Sequence, residues 1–281
     1  MRRLTPLRAD ELVELGRGTE SVAYLVDGDW VARFPAVPAA QATLRRELAL
    51  LPELRRALPL VTPAFEHVGR SGTELVFVAY RLISGIPLTP DTFDALGPDE
   101  QEAALASLAE FLRALHAFPV ELAQRAGVRE ERDKGAYNRR QRSLHRDVRG
   151  LLSPAEIGRL DDTFARYERD HQPDRLTPVL LHADIKPDHV IYDPVAQRVS
   201  GVLDWGDVCL GDPDFDLAII SMFFGAGFLT RLLHHMPDRD PDVVSAKVRF
   251  FTTLRWLQDL VYDVEFNGPV DESLQGLRDR L

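Results

Sequence analysis

The N-terminal third of the chain alternates short apolar runs with turn residues, a pattern that predicts β-strands. Asp27-Gly28 is a signal for a tight hairpin turn between two of these runs. The segment 39–58 differs, because its leucines recur at a spacing of three or four residues, and it is predicted to be a helix. The predicted strands cover residues 12–15, 22–26, 30–35 and 74–82.

Beyond Ile83-Ser84-Gly85 the periodicity becomes helical. The segments 99–118 and 154–171 carry apolar residues on one helical face, and further helices are predicted from about residue 215 onward. The pattern therefore predicts an α+β protein with two lobes. A small β-rich lobe covers residues 1–82 and a larger, mostly helical lobe covers residues 83–281.

Two short apolar runs in the segment 179–215 lead into acidic and histidine side chains, and a third short run lies between them. If these runs form hairpins, Asp184, His189 and Asp204 come close together. One base and two metal ligands are the minimum set for phosphoryl transfer assisted by Mg²⁺. The alternative is a pair of buried strands whose turns carry solvated acids.

A glycine-rich segment between the first two predicted strands is a candidate phosphate-binding loop. Gly16 and Gly18 allow the backbone to close over phosphates, and Thr19 and Ser21 offer hydroxyl and amide donors. The glycine spacing alone is equally typical of a plain β-turn. Its place at the front of a β-rich lobe favours nucleotide binding.

Candidate acceptor-binding residues lie near the C-terminus and beside the metal motifs. Asp259, Tyr262 and Asp263 are spaced to share a helix face, where acids and aromatic rings can hold ammonium groups and sugar rings. A solvated helix face is the alternative. The complete candidate set is Asp188, Asp207, Trp256, Asp259, Tyr262 and Asp263.

Composition restricts the partners. The 281 residues carry a net charge of −10, which disfavours nucleic-acid binding and favours cationic ligands. No apolar segment follows the first three residues, and the longest uncharged stretch, 217–230, is too short to cross a bilayer. The single cysteine, Cys209, fits a reducing compartment. We therefore expect a cytoplasmic monomer that contacts neither nucleic acid nor membrane.

The catalytic segment resembles a known family. The spacing His182-x-Asp184-x4-His189, followed by Asp204-Trp205-Gly206, is similar to the catalytic and metal-binding loops of kinases. The first histidine and the form of the second motif resemble the aminoglycoside phosphotransferase family, and His189 resembles its 2″-aminoglycoside members and the macrolide phosphotransferases. The resemblance implies a bilobal protein-kinase-like fold. It also implies transfer of the γ-phosphate of ATP or GTP, with two Mg²⁺ ions, to an antibiotic hydroxyl.

By the same resemblance, Asp184 is the catalytic base, and Arg33 stands where the family has a lysine, paired with Glu47 on the following helix. Lys186 lies in the catalytic loop, where family residues approach the γ-phosphate. The resemblance further implies that Asp216 caps the next helix. The purine would be bound by backbone groups of Arg81 and Ile83, with Tyr80 at the gatekeeper position.

Several functions remain open on the sequence alone. An aminoglycoside kinase is the main hypothesis. A macrolide kinase or a metabolic small-molecule kinase of the same fold would share the catalytic motifs. A nucleotide-binding pseudokinase is favoured only by Arg33, whereas the presence of Asp184, His189 and Asp204 speaks against a decayed site.

Overall fold

The N-terminal strands form one antiparallel sheet in the computed structural model, which describes residues 9–18, 20–132, 146–172, 175–266 and 268–281. Thr19 lies outside the described residues. The spatial order of this five-stranded sheet is β1-β2-β3-β5-β4. Its strands are β1 (Leu12–Arg17), β2 (Ser21–Val26), β3 (Trp30–Pro35), β4 (His67–Ser71) and β5 (Glu74–Arg81).

Alternation along the strands divides the side chains of this sheet between two small cores. Ala32 and Ala79 belong to one buried cluster, in which Phe34 packs against Phe77. On the other side, Leu44 of helix α1 (Ala40–Ala57) packs against Leu75 and Val78. The helix is therefore held on the sheet by the leucines whose spacing predicted it.

The same compact unit, residues 1–128 and 187–207, holds a second sheet of three strands in the order β10-β9-β6. β9 and β10 form the antiparallel hairpin that the sequence predicts. The fully buried Trp205 meets the ring of Phe111 edge-on, 6.1 Å between centroids. The remaining elements of the unit are β6 (Ile86–Pro87), α2 (Pro90–Ala95), α3 (Pro98–His116), α4 (Val120–Arg125), β9 (Val190–Asp193) and β10 (Arg198–Val202).

The second compact unit, residues 129–186 and 208–281, is mostly helical. A short three-stranded sheet, in the order β7-β11-β8, carries the segment that leads into the catalytic loop. The strands are β7 (Glu130–Arg132), β8 (Val179–Leu181) and β11 (Cys209–Gly211). The helices are α5 (Arg146–Arg149), α6 (Pro154–His171), α7 (Asp214–Phe224), α8 (Ala226–His234), α9 (Pro241–Phe266) and α10 (Val270–Arg278).

The predicted α+β class and the predicted elements agree with this architecture. The helix expected at 39–58 is found at Ala40–Ala57, and that expected at 154–171 is Pro154–His171. The lobe boundary between residues 82 and 83 stays a prediction. Within the described part of the chain, no helix is both long enough and apolar enough to cross a membrane.

Candidate active site

An ion-pair cluster forms where β3, α1 and the Asp204 segment of the first unit meet. The guanidinium of Arg33 donates to both carboxylate oxygens of Glu47, at 2.8 and 3.4 Å. Its Nη2 also lies 3.8 Å from Oδ1 of Asp204. The side chain of Arg33 is 13% exposed and that of Glu47 is fully buried. The structure therefore shows the arginine–glutamate pair that the resemblance implies. Neither side chain is exposed to solvent as an isolated surface charge would be.

Burial and charge act in opposite directions on this cluster. Burial by itself would lower the pKa of Arg33, but Glu47 and Asp204 outweigh it and raise that pKa above its ordinary value. Burial raises the pKa of Glu47, against the opposing attraction of Arg33. Burial also raises the pKa of Tyr80 to about 12, so its phenol stays neutral. Because an arginine side chain stays protonated, the contacts are those of an ion pair.

The turn that carries Asp204 is held against α1. Asp204 has a φ of 57°, a left-handed conformation that is uncommon for non-glycine residues but occurs more often for Asp and Asn. The indole of Trp205 donates to the carbonyl of Val202 at 3.0 Å. Arg46 of α1 donates to the carbonyl of Gly206. The sequence reasoning missed Arg46, because nothing in an exposed-looking helical arginine signals a contact 160 residues away.

His189 and Asp204 form the candidate metal site. Nε2 of His189 lies 3.5 Å from Oδ2 of Asp204, and the two side chains are 11% and 48% exposed. Ligands of one octahedral Mg²⁺ lie about 3 Å apart, so both atoms fit a single ion after a small adjustment. Among the described residues, no group of three or more His, Cys, Asp or Glu is arranged to hold a metal. A two-ligand site suits Mg²⁺, which keeps several waters and phosphate oxygens as ligands.

The catalytic loop belongs to the second unit and is braced by a buried carboxylate. Asp216 accepts from the backbone N–H of Ala183 at 2.7 Å and of His182 at 3.2 Å. The amide of Asp184 donates to Nδ1 of His182 at 3.3 Å. Ala183 has a φ of 64°, so the loop is strained next to Asp184. The expected helix-capping role of Asp216 is wrong, because α7 has Pro213 as its N-cap and no side-chain cap.

Lys186 contacts the predicted base directly. Its Nζ lies 3.0 Å from Oδ2 of Asp184, and its backbone N–H donates to the carbonyl of Asp184 at 3.0 Å. The Asp184 side chain is 15% exposed and that of Lys186 is 34% exposed. The amine thus lies where it offsets the charge of the carboxylate. Its approach to a γ-phosphate, and that of Asp184 to the metal ligands, remain predictions.

Apart from Lys186, the predicted nucleotide residues that the structure describes lie on the first unit. The N–H of Gly18 donates to the carbonyl of Ser21 at 2.9 Å, which closes a tight turn, and the β1–β2 ladder has a bulge ending at Gly16. Tyr80 is buried at the end of β5. The guanidinium of Arg81 lies 4.1 Å from the ring centroid of Trp30. Because the Arg81 side chain packs on Trp30, only the backbone of Arg81 is assigned to purine binding. Ile83, two residues further on, is half-buried.

The candidate acceptor residues differ in their surroundings. Asp188 and Asp207 are exposed in the short 3₁₀ turns Pro187–His189 and Trp205–Asp207. On α9, Tyr262 is 53% exposed, whereas Asp263 is 8% exposed and accepts from the hydroxyl of Ser273.

The other two α9 candidates also make contacts within the second unit. Asp259 pairs with Arg255 at 3.1 Å, and burial raises the pKa of Asp259. Trp256 lies against Gly276 of α10, where a Cβ would meet its ring at 2.3 Å. Two of the four α9 candidates, Trp256 and Asp263, therefore help to hold α10. Acceptor binding by the set stays a prediction.

Another charged cluster lies in the second unit, and its cations, Lys247 and Arg239, were missed by the sequence reasoning. Nζ of Lys247 lies 2.9 Å from Asp212 and 3.0 Å from Asp214, two carboxylates that are almost fully buried. Arg239 adds a contact to Asp214 at 3.1 Å. Lys247 on α9 therefore anchors the start of α7, the helix that carries Asp216.

Comparison with known proteins places this geometry in a family. The model of the APH phosphotransferase enzyme family matches residues 11–244. The chain belongs to the phosphotransferase enzyme family. The family resemblance seen in the sequence is thereby confirmed.

A solved structure of APH(2″) in complex with GDP and kanamycin superposes on 97% of this chain and 93% of its own, with a TM-score of 0.89 and 29% identity. The macrolide 2′-phosphotransferase MphH from Brachybacterium faecium, at 20% identity, matches with a TM-score of 0.70 over 95% of this chain and 91% of its own, which shows a shared fold.

A curated relative is viomycin phosphotransferase of Streptomyces vinaceus. It is 30% identical over 168 residues, which are 59% of this chain and 56% of that protein. The matched region thus spans little more than half the length of that relative. The kinase-like α+β fold is shared with the two solved structures, and the substrate is argued below.

Proposed function

We propose that the protein transfers the γ-phosphate of ATP or GTP to a hydroxyl group of an aminoglycoside antibiotic. One observation carries the proposal: Arg33, Glu47, Asp204 and His189 come together in the first unit from three separate segments of the chain. A phosphate-binding cation, its carboxylate partner and a pair of metal ligands are what phosphoryl transfer requires. The similarity to an APH(2″) enzyme that binds GDP and kanamycin supports this reading.

Arg33 is assigned to the nucleotide phosphates. Its planar guanidinium has five donors, and Glu47 uses two of them. The remaining donors are available to phosphate oxygens on the side toward Asp204. Since the guanidinium is held at both ends of its fork, it can bind a phosphate without a large loss of side-chain freedom. We assign the glycine-rich segment with Gly16, Gly18 and Ser21 to the same phosphates, as the family resemblance implies.

His189 and Asp204 are the residues that would hold Mg²⁺. When bound, the ion supplies charge stabilisation to the transferring phosphoryl group. A neutral imidazole is a softer ligand than a carboxamide oxygen, so His189 favours Mn²⁺ more than the usual asparagine does.

Asp184 is assigned as the base that accepts or orients the proton of the acceptor hydroxyl. Asp216 fixes the backbone on its N-terminal side, and Lys186 contacts its carboxylate. Most of the acceleration in such reactions comes from alignment of the nucleophile and from charge stabilisation. A rigid loop is therefore more important here than a strongly basic carboxylate.

The acceptor class is assigned from charge and from the comparisons. Exposed carboxylates at Asp188 and Asp207 on the first unit suit a polycationic sugar. Tyr262, exposed on the second unit, is a separate candidate contact. A macrolide is the second candidate, since macrolide 2′-phosphotransferases share the fold. The two classes differ in how their binding responds to salt, because exposed charge pairs are screened and apolar burial is not.

The test is an acceptor screen with purified protein, Mg²⁺ and either ATP or GTP, read by ³¹P NMR of the product. Kanamycin, gentamicin, a macrolide and viomycin are compared with no acceptor. We expect a phosphorylated aminoglycoside, and an acceptor KM that rises with salt. Asp184→Asn should lose at least about 10²-fold in kcat with little change in nucleotide affinity. Transfer to the macrolide alone would reject the aminoglycoside, and nucleotide binding without any turnover would favour a pseudokinase.

A further inference from the structure

A cavity of about 300 Å³ opens between α6 and α9 of the second unit. None of its lining residues belongs to the candidate active site. Its volume lies at the lower end of the range for small-molecule pockets. Its walls are formed by α6 and α9 and by the C-terminal residues Arg280 and Leu281.

Each helix presents one continuous face to this cavity. The α6 residues are separated by three positions and one position in turn, and so are those of α9. They therefore recur at i, i+3, i+4 and i+7, which is the spacing of side chains on a single helical face. The α6 face carries arginine, aspartate, threonine and tyrosine side chains, and the α9 face carries one arginine beside alanine, phenylalanine and threonine. The α6 face consists of Arg159, Asp162, Thr163, Arg166, Tyr167 and Asp170, and the α9 face consists of Ala246, Arg249, Phe250 and Thr253.

The cavity concentrates positive charge on a protein whose net charge is −10. Four of its lining residues are arginines and two are aspartates. One of the aspartates, Asp170, already pairs with Arg169, which does not line the cavity. Within the described ranges of the chain, no carboxylate comes within ion-pair distance of Arg159, Arg166 or Arg249. Salt bridges of the fold therefore do not account for these three guanidinium groups.

The wall behind the arginines is rigid. The rings of Tyr167 and Phe250 stack in parallel with centroids 3.7 Å apart, and both side chains are buried. His171 stands at the end of the α6 face, where burial and the neighbouring Lys247 lower its pKa. It is therefore neutral at pH 7 and offers a hydrogen bond rather than a charge. The stacked rings join the two helices that carry the arginines.

We propose that this cavity is a binding site for a small anion of the phosphate or pyrophosphate class. Guanidinium groups bind phosphate oxygens with two parallel hydrogen bonds, and arginines from two facing helices can bind one anion from both sides. The hydroxyls of Thr163 and Thr253 already donate to the backbone carbonyls of Arg159 and Arg249, so the guanidinium groups are the donors to the anion. A multiply charged anion gains from several arginines at once, whereas chloride does not. The proposal is independent of the acceptor assigned above.

The experiment is a calorimetric titration of the full chain with inorganic pyrophosphate at fixed ionic strength in metal-free buffer. The test variant combines Arg166→Gln with Arg249→Gln. Its control combines Arg113→Gln with Arg125→Gln, which removes the same charge from exposed arginines of α3 and α4. Loss of charge-assisted bonds should weaken pyrophosphate binding roughly tenfold or more in the test variant. The control should stay within about twofold of the wild type.

Two results would overturn the proposal. One is the absence of saturable pyrophosphate binding to the wild-type protein. The other is an equal affinity in the test and control variants, which would place any binding elsewhere, for instance at Arg33. A third variant, Arg249→Lys, keeps the charge but removes the fork, and circular dichroism confirms that each variant is folded. Binding by Arg249→Lys between the wild type and the double variant supports bidentate contact.

Discussion

Removal of Arg33 should destabilise the protein as well as impair nucleotide binding. In Arg33→Ala the fully buried carboxylate of Glu47 loses two hydrogen bonds, at 2.8 and 3.4 Å. Among the described residues, Arg33 is also the only cation within ion-pair distance of this carboxylate. Breaking one partner of a buried ion pair costs about 3–5 kcal/mol of unfolding free energy. Because Arg33 is only 13% exposed, solvent screening reduces this cost little.

The pH dependence of that loss identifies its cause. Without Arg33, burial and the charge of Asp204 raise the pKa of Glu47 further above 4.5, its ordinary value. A carboxyl whose folded pKa is raised destabilises the folded state as the pH rises above the unfolded value. The penalty of Arg33→Ala should therefore be largest near pH 7 and should shrink as the pH falls toward 5.

Urea denaturation of the full chain measures the effect, with Arg33→Lys and the double variant Arg33→Met with Glu47→Leu as controls. The lysine keeps a charge near Glu47 and should retain most of the stability and the activity, although it loses the fork. The double variant removes both charges and should recover most of the stability but no nucleotide binding. An Arg33→Ala protein as stable as the wild type at pH 7, with an unchanged nucleotide KM, would refute the reasoning.

Three further predictions concern single positions. Asp204→Ala should weaken the Mg²⁺ dependence of nucleotide affinity at least about tenfold, whereas Asp207→Ala should leave it unchanged; equal metal titrations for both variants would disprove the metal site. Ala183→Gly should stabilise the protein by up to about 1 kcal/mol, because the backbone φ at this position is 64°. The control Ala106→Gly, in the exposed middle of α3, should destabilise it by a similar amount. Urea denaturation measures both changes. Hydrogen bonds from Ser153 and Arg278 lower the pKa of Glu156 to about 2 from its ordinary 4.5. The stabilisation by this carboxylate is therefore present above pH 4.5 and is lost as the pH falls toward 2. The difference in urea midpoint between the wild type and Glu156→Gln should disappear in acid, and a constant difference would count against the prediction.

The secondary structure and the family could be read from the sequence because both are recorded in local patterns. The leucines of α1 recur at helical spacing, and two apolar runs with a turn between them predict the hairpin of β9 and β10. The motif around Asp184, His189 and Asp204 extends over about 20 residues, so its spacing alone is informative. Each of these signals depends on neighbours along the chain.

The contacts that give these residues their roles join distant segments, and only the tertiary structure decided them. Whether Arg33 faces solvent or Glu47 depends on the register of β3 and on the face that α1 turns to the sheet. The role of Asp216 was mistaken because its place near a helix start favours capping, whereas the fold brings two amides from residues 34 and 33 positions earlier to its oxygens.

The helical faces of the second unit show the same limit. Spacing along α9 predicts which residues share a face, but it does not say what covers that face. Packing of α10 buries Asp263 and leaves Tyr262 exposed, although the two are adjacent in sequence. The arginines of α6 and α9 look like ordinary solvated positions until the two helices are placed side by side. Periodicity fixes orientation within one element, whereas burial and charge environment are properties of pairs of elements.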